Sequence, residues 1–268
     1  MKAVTVLRVD NLSINFGGLK AVSNFNLSLR DGELAALIGP NGAGKTTIFN
    51  MITGVYKPSE GEIGFTTKTG GEKNIVGLKP HQITKLGMAR TFQNIRLFKE
   101  LTVLDNVRIA FHFSVKYNFV HAIFQLRRYH AEEARITENA LELLKIFNID
   151  QKQNEQAKNL PYGEQRKLEI ARALAASPKL LLLDEPAAGM NPQETQDLMR
   201  LIQFIRSRFN LTILLVEHDM NLVMGICERI IVLDYGLTIA EGTPAEISQN
   251  PKVIKAYLGE EVEAGASC

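Results

Sequence analysis

The chain has 268 residues, 45% of them hydrophobic, enough to bury a sizeable core in one large domain or two small ones, which excludes a disordered chain. Its 31 Lys and Arg against 29 Asp and Glu leave a formal charge of +2, so there is no electrostatic footprint for nucleic acid. Apolar runs such as 180–183 and 213–216 fall far short of the roughly 20 residues a membrane helix needs, and two cysteines are too few for a disulfide framework. A reducing, cytoplasmic setting is expected, with Cys227 as a small core residue and Cys268 in a disordered tail.

Residues 1–10 alternate apolar and polar side chains, as a strand does and a cleavable leader does not. Segments 4–13 and 21–29 read as strands, and the turn Arg30-Asp31-Gly32 leads into a third, 33–38, whose apolar run predicts burial on both faces. Then come Gly39, Pro40, Asn41, Gly42, Ala43, Gly44, Lys45, Thr46 and Thr47, a complete match to the phosphate-loop pattern GxxxxGK[ST] in its strand-to-helix setting. Glycines are needed because only a glycine-rich turn lets successive backbone N–H groups curl around phosphate oxygens, and the helix opening near Lys45 adds its positive end. Lys45 brings a point charge to the terminal phosphates and Thr46 a hydroxyl to magnesium. The chain is thus expected to bind a nucleoside triphosphate.

Gly54 ends that helix, residues 57–61 form a turn before a short strand, and 66–77 look like an exposed excursion. From 103 to about 175 the character is helical, with Ala140, Leu141, Leu143, Leu144 and Phe147 at helical spacing, which predicts a helical subdomain inserted into the sheet. Within it, 110–135 interleaves aromatics, histidines and arginines. With a near-neutral chain this reads as an amphipathic region that packs or meets a partner, not as a nucleic-acid platform. Strand-like runs return at 180–184, 212–217 and 229–234, separated by helical segments, the pattern of parallel βαβ units.

The run 180–183 delivers Asp184 and Glu185 at its C-terminal end, where open α/β sheets bind ligands. Asp184 fits the magnesium-holding carboxylate and Glu185 the group that polarises the attacking water, their side chains leaving the strand in opposite directions. Leu160-Pro161-Tyr162-Gly163-Glu164-Gln165 precedes a helix expected over 166–176, whose N-terminus can bind an anion.

With these motifs in place the chain resembles, over almost its whole length, the ATP-binding cassette (ABC) family, whose signature LSGGQ occupies this last position. The resemblance implies an α/β fold. It would have a phosphate-loop NTPase core of the ABC ATPase type, an N-terminal antiparallel β subdomain and an inserted helical subdomain carrying the signature. The implied boundaries are 1–92 for the antiparallel β subdomain with the first part of the nucleotide-binding core, 93–176 for the helical subdomain with the signature, and 177–268 for the remainder of the core and the C-terminal tail. It further implies that Pro161, Tyr162, Gly163 and Glu164 bind the γ-phosphate of ATP through helix-end backbone groups, Pro161 and Glu164 having replaced the usual serine and glutamine. Gln93 resembles the Q-loop glutamine that touches magnesium and water and senses a membrane partner. His218 resembles the switch histidine on the γ-phosphate, and Phe16 the aromatic that stacks on adenine. Asn191 stands where the D loop usually has aspartate.

In this family the phosphate loop of one subunit faces the signature of another, so a second ATPase subunit, identical or different, completes each site. One cassette with ATP and Mg2+ then implies a peripheral subunit at the cytoplasmic face of the membrane. Its partners would be transmembrane permease subunits and, indirectly, an extracytoplasmic solute-binding protein, with no nucleic acid. The closer resemblance is to importers of branched-chain amino acids, carried by 16–22, by Tyr162-Gly163-Glu164-Gln165-Arg166, by the long segment 107–135, and by 240–244 running to 256–259. Urea or amide importers share much of this pattern, and a soluble non-transport ATPase of the family is the alternative of another class.

Overall fold

The computed structural model describes residues 4–111 and 127–257, so Cys268 and most of the aromatic and histidine-rich segment 110–135 lie outside the described residues. The chain divides into two compact units, one of residues 1–90 with 179–268, the other of 91–178.

The first unit holds two sheets. A four-stranded antiparallel sheet has the order β2-β1-β4-β5, from β1 (Thr5–Phe16), β2 (Leu19–Arg30), β4 (Glu60–Thr66) and β5 (Glu72–Asn74). A six-stranded sheet has the order β10-β9-β3-β8-β7-β6, from β3 (Leu34–Ile38), β6 (Met88–Arg90), β7 (Leu180–Asp184), β8 (Thr212–Val216), β9 (Arg229–Asp234) and β10 (Leu237–Gly242). Five of its strands run parallel and only β10 is antiparallel. Every residue of β3, β7 and β8 is buried, as expected of strands covered on both faces, whereas β1 mixes buried with exposed positions and β2 alternates them from Phe25 to Arg30. Helix α1 (Lys45–Ile52) supplies Ile48, Phe49, Met51 and Ile52 to one hydrophobic cluster that draws on both sheets. Each such side chain contributes roughly 1.5–3 kcal/mol by leaving water.

The excursion at 66–77 is not featureless: it contains β5, an exposed edge strand paired with β4 through Gly64, Phe65 and Thr66. Its three residues, Glu72, Lys73 and Asn74, are poor strand formers, so only the pairing partner reveals them. A short helix α2 (Pro80–Leu86) follows.

The second unit, 91–178, contains α3 (Val103–Phe111), α4 (Arg127–Ile146) and α5 (Tyr162–Ala175). Ala140, Leu143, Leu144 and Phe147 are buried, matching the helical spacing read from the sequence, while Leu141 stays half-exposed. Helix α5 begins at Tyr162 and not at 166. Pro161 occupies its N-cap, and the Pro161 carbonyl accepts from the N–H groups of both Glu164 and Gln165 at 3.0 Å, so the signature residues are themselves the first turn. The first unit continues with α6 (Pro192–Phe209), α7 (Met220–Ile226) and α8 (Pro244–Ser248).

Candidate functional site

The phosphate loop joins the buried end of β3 to α1. Gly39 has φ +147, and a Cβ there would lie 2.1 Å from the carbonyl oxygen of Leu233 in β9, so no other residue fits. Gly44, with φ +102, caps α1, and a Cβ would press on the Ala21 carbonyl at 3.1 Å. The loop is braced from behind by the β9–β10 turn: Gly236 N–H donates to Ala43 O at 3.0 Å, and Ser23 N–H donates to Gly236 O at 2.9 Å. Lys45 is buried, and its ammonium donates to Gly39 O at 2.6 Å and Pro40 O at 2.8 Å, which holds a positive charge at the loop. No acidic residue occupies the first turn of α1, and Thr46 there is exposed. A positive helix end, a cationic ammonium and a concave backbone together fit a polyphosphate.

Phe16 ends β1 exposed and meets Tyr56 edge-on, ring centroids 5.4 Å apart. Tyr56, beyond α1, was not singled out by any pattern in the sequence.

Asp184, the last residue of β7, is buried and pairs with Arg90 at 2.7 Å. Arg90, at the end of β6, also donates to Asn50 Oδ1 at 2.8 Å and Thr53 Oγ1 at 3.1 Å, and lies over the Phe49 ring, tying the strand end to α1. Glu185 follows with φ +46, its N–H donating to Val216 O at 2.8 Å. Strand alternation therefore does not separate the two carboxylates, as the sequence suggests: β7 stops at Asp184, and Glu185 is aimed by a left-handed turn that costs a non-glycine residue roughly 1–3 kcal/mol. His218 Nδ1 stands 3.7 Å from Glu185 Oε2 and 3.7 Å from Glu217 Oε2, and the imidazole is largely exposed.

Glu217 is fully buried behind these groups. Its carboxylate accepts from Ala187 N–H at 2.7 Å, His218 N–H at 3.0 Å and Asp219 N–H at 3.3 Å, so one side chain ties the turn after Glu185 to the turn carrying His218. Burial pushes its pKa above the ordinary carboxylate value, against the pull of those three N–H groups. Sequence reasoning read Glu217 only as the tail of a strand and did not single out Arg90; only the pairing across the sheet gives them a place. Asn191 is the N-cap of α6 in a full capping box, accepting from Glu194 N–H at 2.9 Å while its own N–H donates to Glu194 Oε2 at 3.0 Å. Replacing Asn191 by Ala should cost about 1 kcal/mol of stability. Thermal unfolding should then show a Tm lower by about 2–4 °C.

The remaining predicted residues, Gln93 and 161–164, belong to the second unit. Pro161 starts α5, Tyr162 is exposed, and Glu164 is held by Lys152, whose ammonium donates to its two oxygens at 2.8 and 2.6 Å. The bond to Glu164 raises the Lys152 pKa. The side chain of Glu164 is thus tied to its own unit, leaving the backbone of the first turn as the anion-binding element. The Gln93 backbone carbonyl accepts from Arg166 at 2.8 Å.

Residues 22–188 match the family model described as ABC transporter. The chain belongs to the ABC transporter family. Residues 238–263 also match the model described as branched-chain amino acid ATP-binding cassette transporter. The chain is 48% identical, over 95% of its length and 98% of the relative's, to the high-affinity branched-chain amino acid transport ATP-binding protein LivG of Salmonella typhimurium. Among solved structures it resembles the ADP conformation of MJ1267, an ATP-binding cassette of an ABC transporter, with TM-score 0.81 and 30% identity over 96% of this chain and 99% of that one. It also resembles the dimeric post-hydrolysis state of the ATP-binding cassette MJ0796 bound to ADP and Pi, with TM-score 0.74 and 27% identity over 89% of this chain and 98% of that one. As an ABC ATPase the chain binds nucleotide and hydrolyses ATP, and cassettes of this family work as dimers with membrane components. Among the described residues of this cassette, no helix is long and apolar enough to cross a membrane.

Proposed function

We propose that this chain is the ATP-hydrolysing subunit of an importer of branched-chain amino acids, bound at the cytoplasmic face to transmembrane permease subunits and served by a solute-binding protein on the other side. The observation that carries the substrate is the 48% identity, along nearly the full length of both chains, to a protein named for that transport. The match of 238–263 to the branched-chain family model supports it.

In this reading the loop from Gly39, Pro40, Asn41, Gly42, Ala43 and Gly44 to Lys45, Thr46 and Thr47 cradles the ATP phosphates, Lys45 neutralises them, and Phe16 stacks on adenine. The oxygens on offer, the Thr46 hydroxyl in the first turn of α1 and the Asp184 carboxylate at the end of β7, are hard donors of the kind magnesium takes while keeping several of its waters. Thr46 and Asp184 are the residues that would hold it; bound there, it would draw charge from the phosphate oxygens, and Gln93 keeps the glutamine-loop role that its family position implies. Glu185 is the base toward the attacking water, and His218, beside it, contacts the γ-phosphate. Pro161, Tyr162, Gly163 and Glu164 offer the first turn of α5 to the γ-phosphate bound by a second ATPase subunit, so closing the dimer completes two sites and hydrolysis releases it.

Uptake of labelled leucine, isoleucine and valine, beside urea, should be compared in the native host carrying wild-type protein or Glu185→Gln. The three branched-chain amino acids should fall to background while urea uptake stays intact. Intact leucine uptake with loss of urea uptake would reassign the solute.

A further inference from the structure

The segment 92–96 follows β6 and forms neither helix nor strand, so its backbone polar groups need partners from elsewhere. Two side chains of α5 supply four of them. Arg166, fully buried, donates through Nη1 to Phe92 O at 2.6 Å and through Nη2 to Gln93 O at 2.8 Å. Glu169, equally buried, accepts through Oε1 from Phe92 N–H at 3.4 Å and Arg96 N–H at 3.2 Å. Arg166 and Glu169 pair with each other at 2.8 Å, and Arg166 also donates to the hydroxyl of Tyr162 at 3.2 Å. Arg96 closes the arrangement by lying 4.1 Å from the centre of the Phe92 ring.

We propose that Arg166 and Glu169 are positioning residues, which fasten the backbone of 92–96, and with it Gln93, to the helix whose first turn carries the signature. A buried ion pair is a poor way to gain stability, since an apolar pair of similar volume often serves as well or better. What an apolar pair cannot do is hold two carbonyls and two N–H groups of a loop in fixed register. The planar guanidinium reaches both carbonyls at once, which a lysine cannot. Because Tyr162 and Arg166 are one turn apart on α5 and share a hydrogen bond, any tilt of that turn moves Gln93 with it. The signature and the glutamine loop then act as one piece.

The inference rests on the role given to Gln93 above, so its test includes a readout that does not depend on that role. In the full-length protein, Arg166→Met with Glu169→Leu removes the clasp and fills its volume. Hydrogen exchange of the Phe92 and Arg96 amides should quicken about tenfold or more. The double variant should melt close to wild type. Its ATPase kcat should fall about tenfold with KM for ATP within about twofold, and adding Gln93→Ala should cause no further loss. Arg166→Lys carries the same test if the double variant does not fold. Unchanged exchange would overturn the clasp; faster exchange with unchanged kcat, or a further additive loss on Gln93→Ala, would overturn the positioning role. A wild-type protein whose ATPase ignores Gln93→Ala altogether would instead overturn the reading of Gln93, leaving the exchange result to stand alone.

Discussion

Glu185→Gln should lower the ATPase rate by about 10²–10³, equivalent to roughly 3–4 kcal/mol at the transition state. The substitution is nearly isosteric and keeps the Glu185 N–H to Val216 O bond that supports the left-handed backbone at φ +46. Its effect should therefore be confined to chemistry. The carboxylate stands 3.7 Å from the exposed imidazole of His218 and adjoins Asp184, so a neutral amide in its place can neither take a proton from water nor pair with a protonated His218. ATP affinity should survive, since none of the phosphate-loop groups is touched, and the ATP-bound pair of subunits should persist instead of separating. Steady-state phosphate release and size-exclusion chromatography with ATP measure the two halves. If the variant hydrolyses ATP at the normal rate and its ATP-dependent dimer decays as fast as wild type, Glu185 is not the base.

Lys45→Ala should act at the earlier step, binding. The ammonium is fixed by Gly39 O and Pro40 O, so the charge is already in position and little side-chain freedom remains to be lost when phosphate arrives. A charge-assisted hydrogen bond of this kind is worth roughly 1.5–3 kcal/mol, which predicts a Kd for ATP weaker by about 10–150-fold. At an ATP concentration near 100 times the wild-type Kd, ligand stabilises the fold by about 2.7 kcal/mol. A hundredfold weaker site keeps only about 0.4 kcal/mol of that. Thermal unfolding with and without ATP should accordingly show the nucleotide-induced rise in Tm nearly abolished, while the apo Tm stays close to wild type. A preserved rise would remove Lys45 from the phosphate site.

The phosphate loop and the acidic end of β7 were legible because their chemistry is local. Nine consecutive residues make the loop, and an apolar run followed by Asp184 and Glu185 marks a buried strand that ends at solvent. The parallel sheet followed from the same runs, and the helical character of the second unit from the spacing around Ala140 and Phe147. What stayed hidden is what depends on partners distant in the chain. Arg90 finds Asp184 at a separation of 94 residues, Arg166 finds Phe92 across 74, and Glu217 finds Ala187 across 30. No periodicity encodes such pairs. The start of α5 was misplaced by four residues because Pro161-Tyr162-Gly163 reads as loop by propensity, yet Pro161 presets the helical entry and tertiary packing overrides Gly163. The turn at Glu185 was missed for a related reason: left-handed backbone at a glutamate has no signature in composition.

The bracing of the phosphate loop by Leu233 and Gly236 also orders events in time. The loop is complete in sequence by Thr47, but β3 lies between β8 and β9, and the turn that supports Ala43 arrives nearly 200 residues later. Contacts of such long sequence separation are slow to form, because the chain between them must be organised first. During synthesis the stretch most recognisable as a nucleotide site emerges early and stands without its back wall until the last fifth of the chain has left the ribosome. Nucleotide capture is thus a late event in the maturation of the cassette, and a chain cut short before β9 carries the whole phosphate-loop sequence without the wall that shapes it.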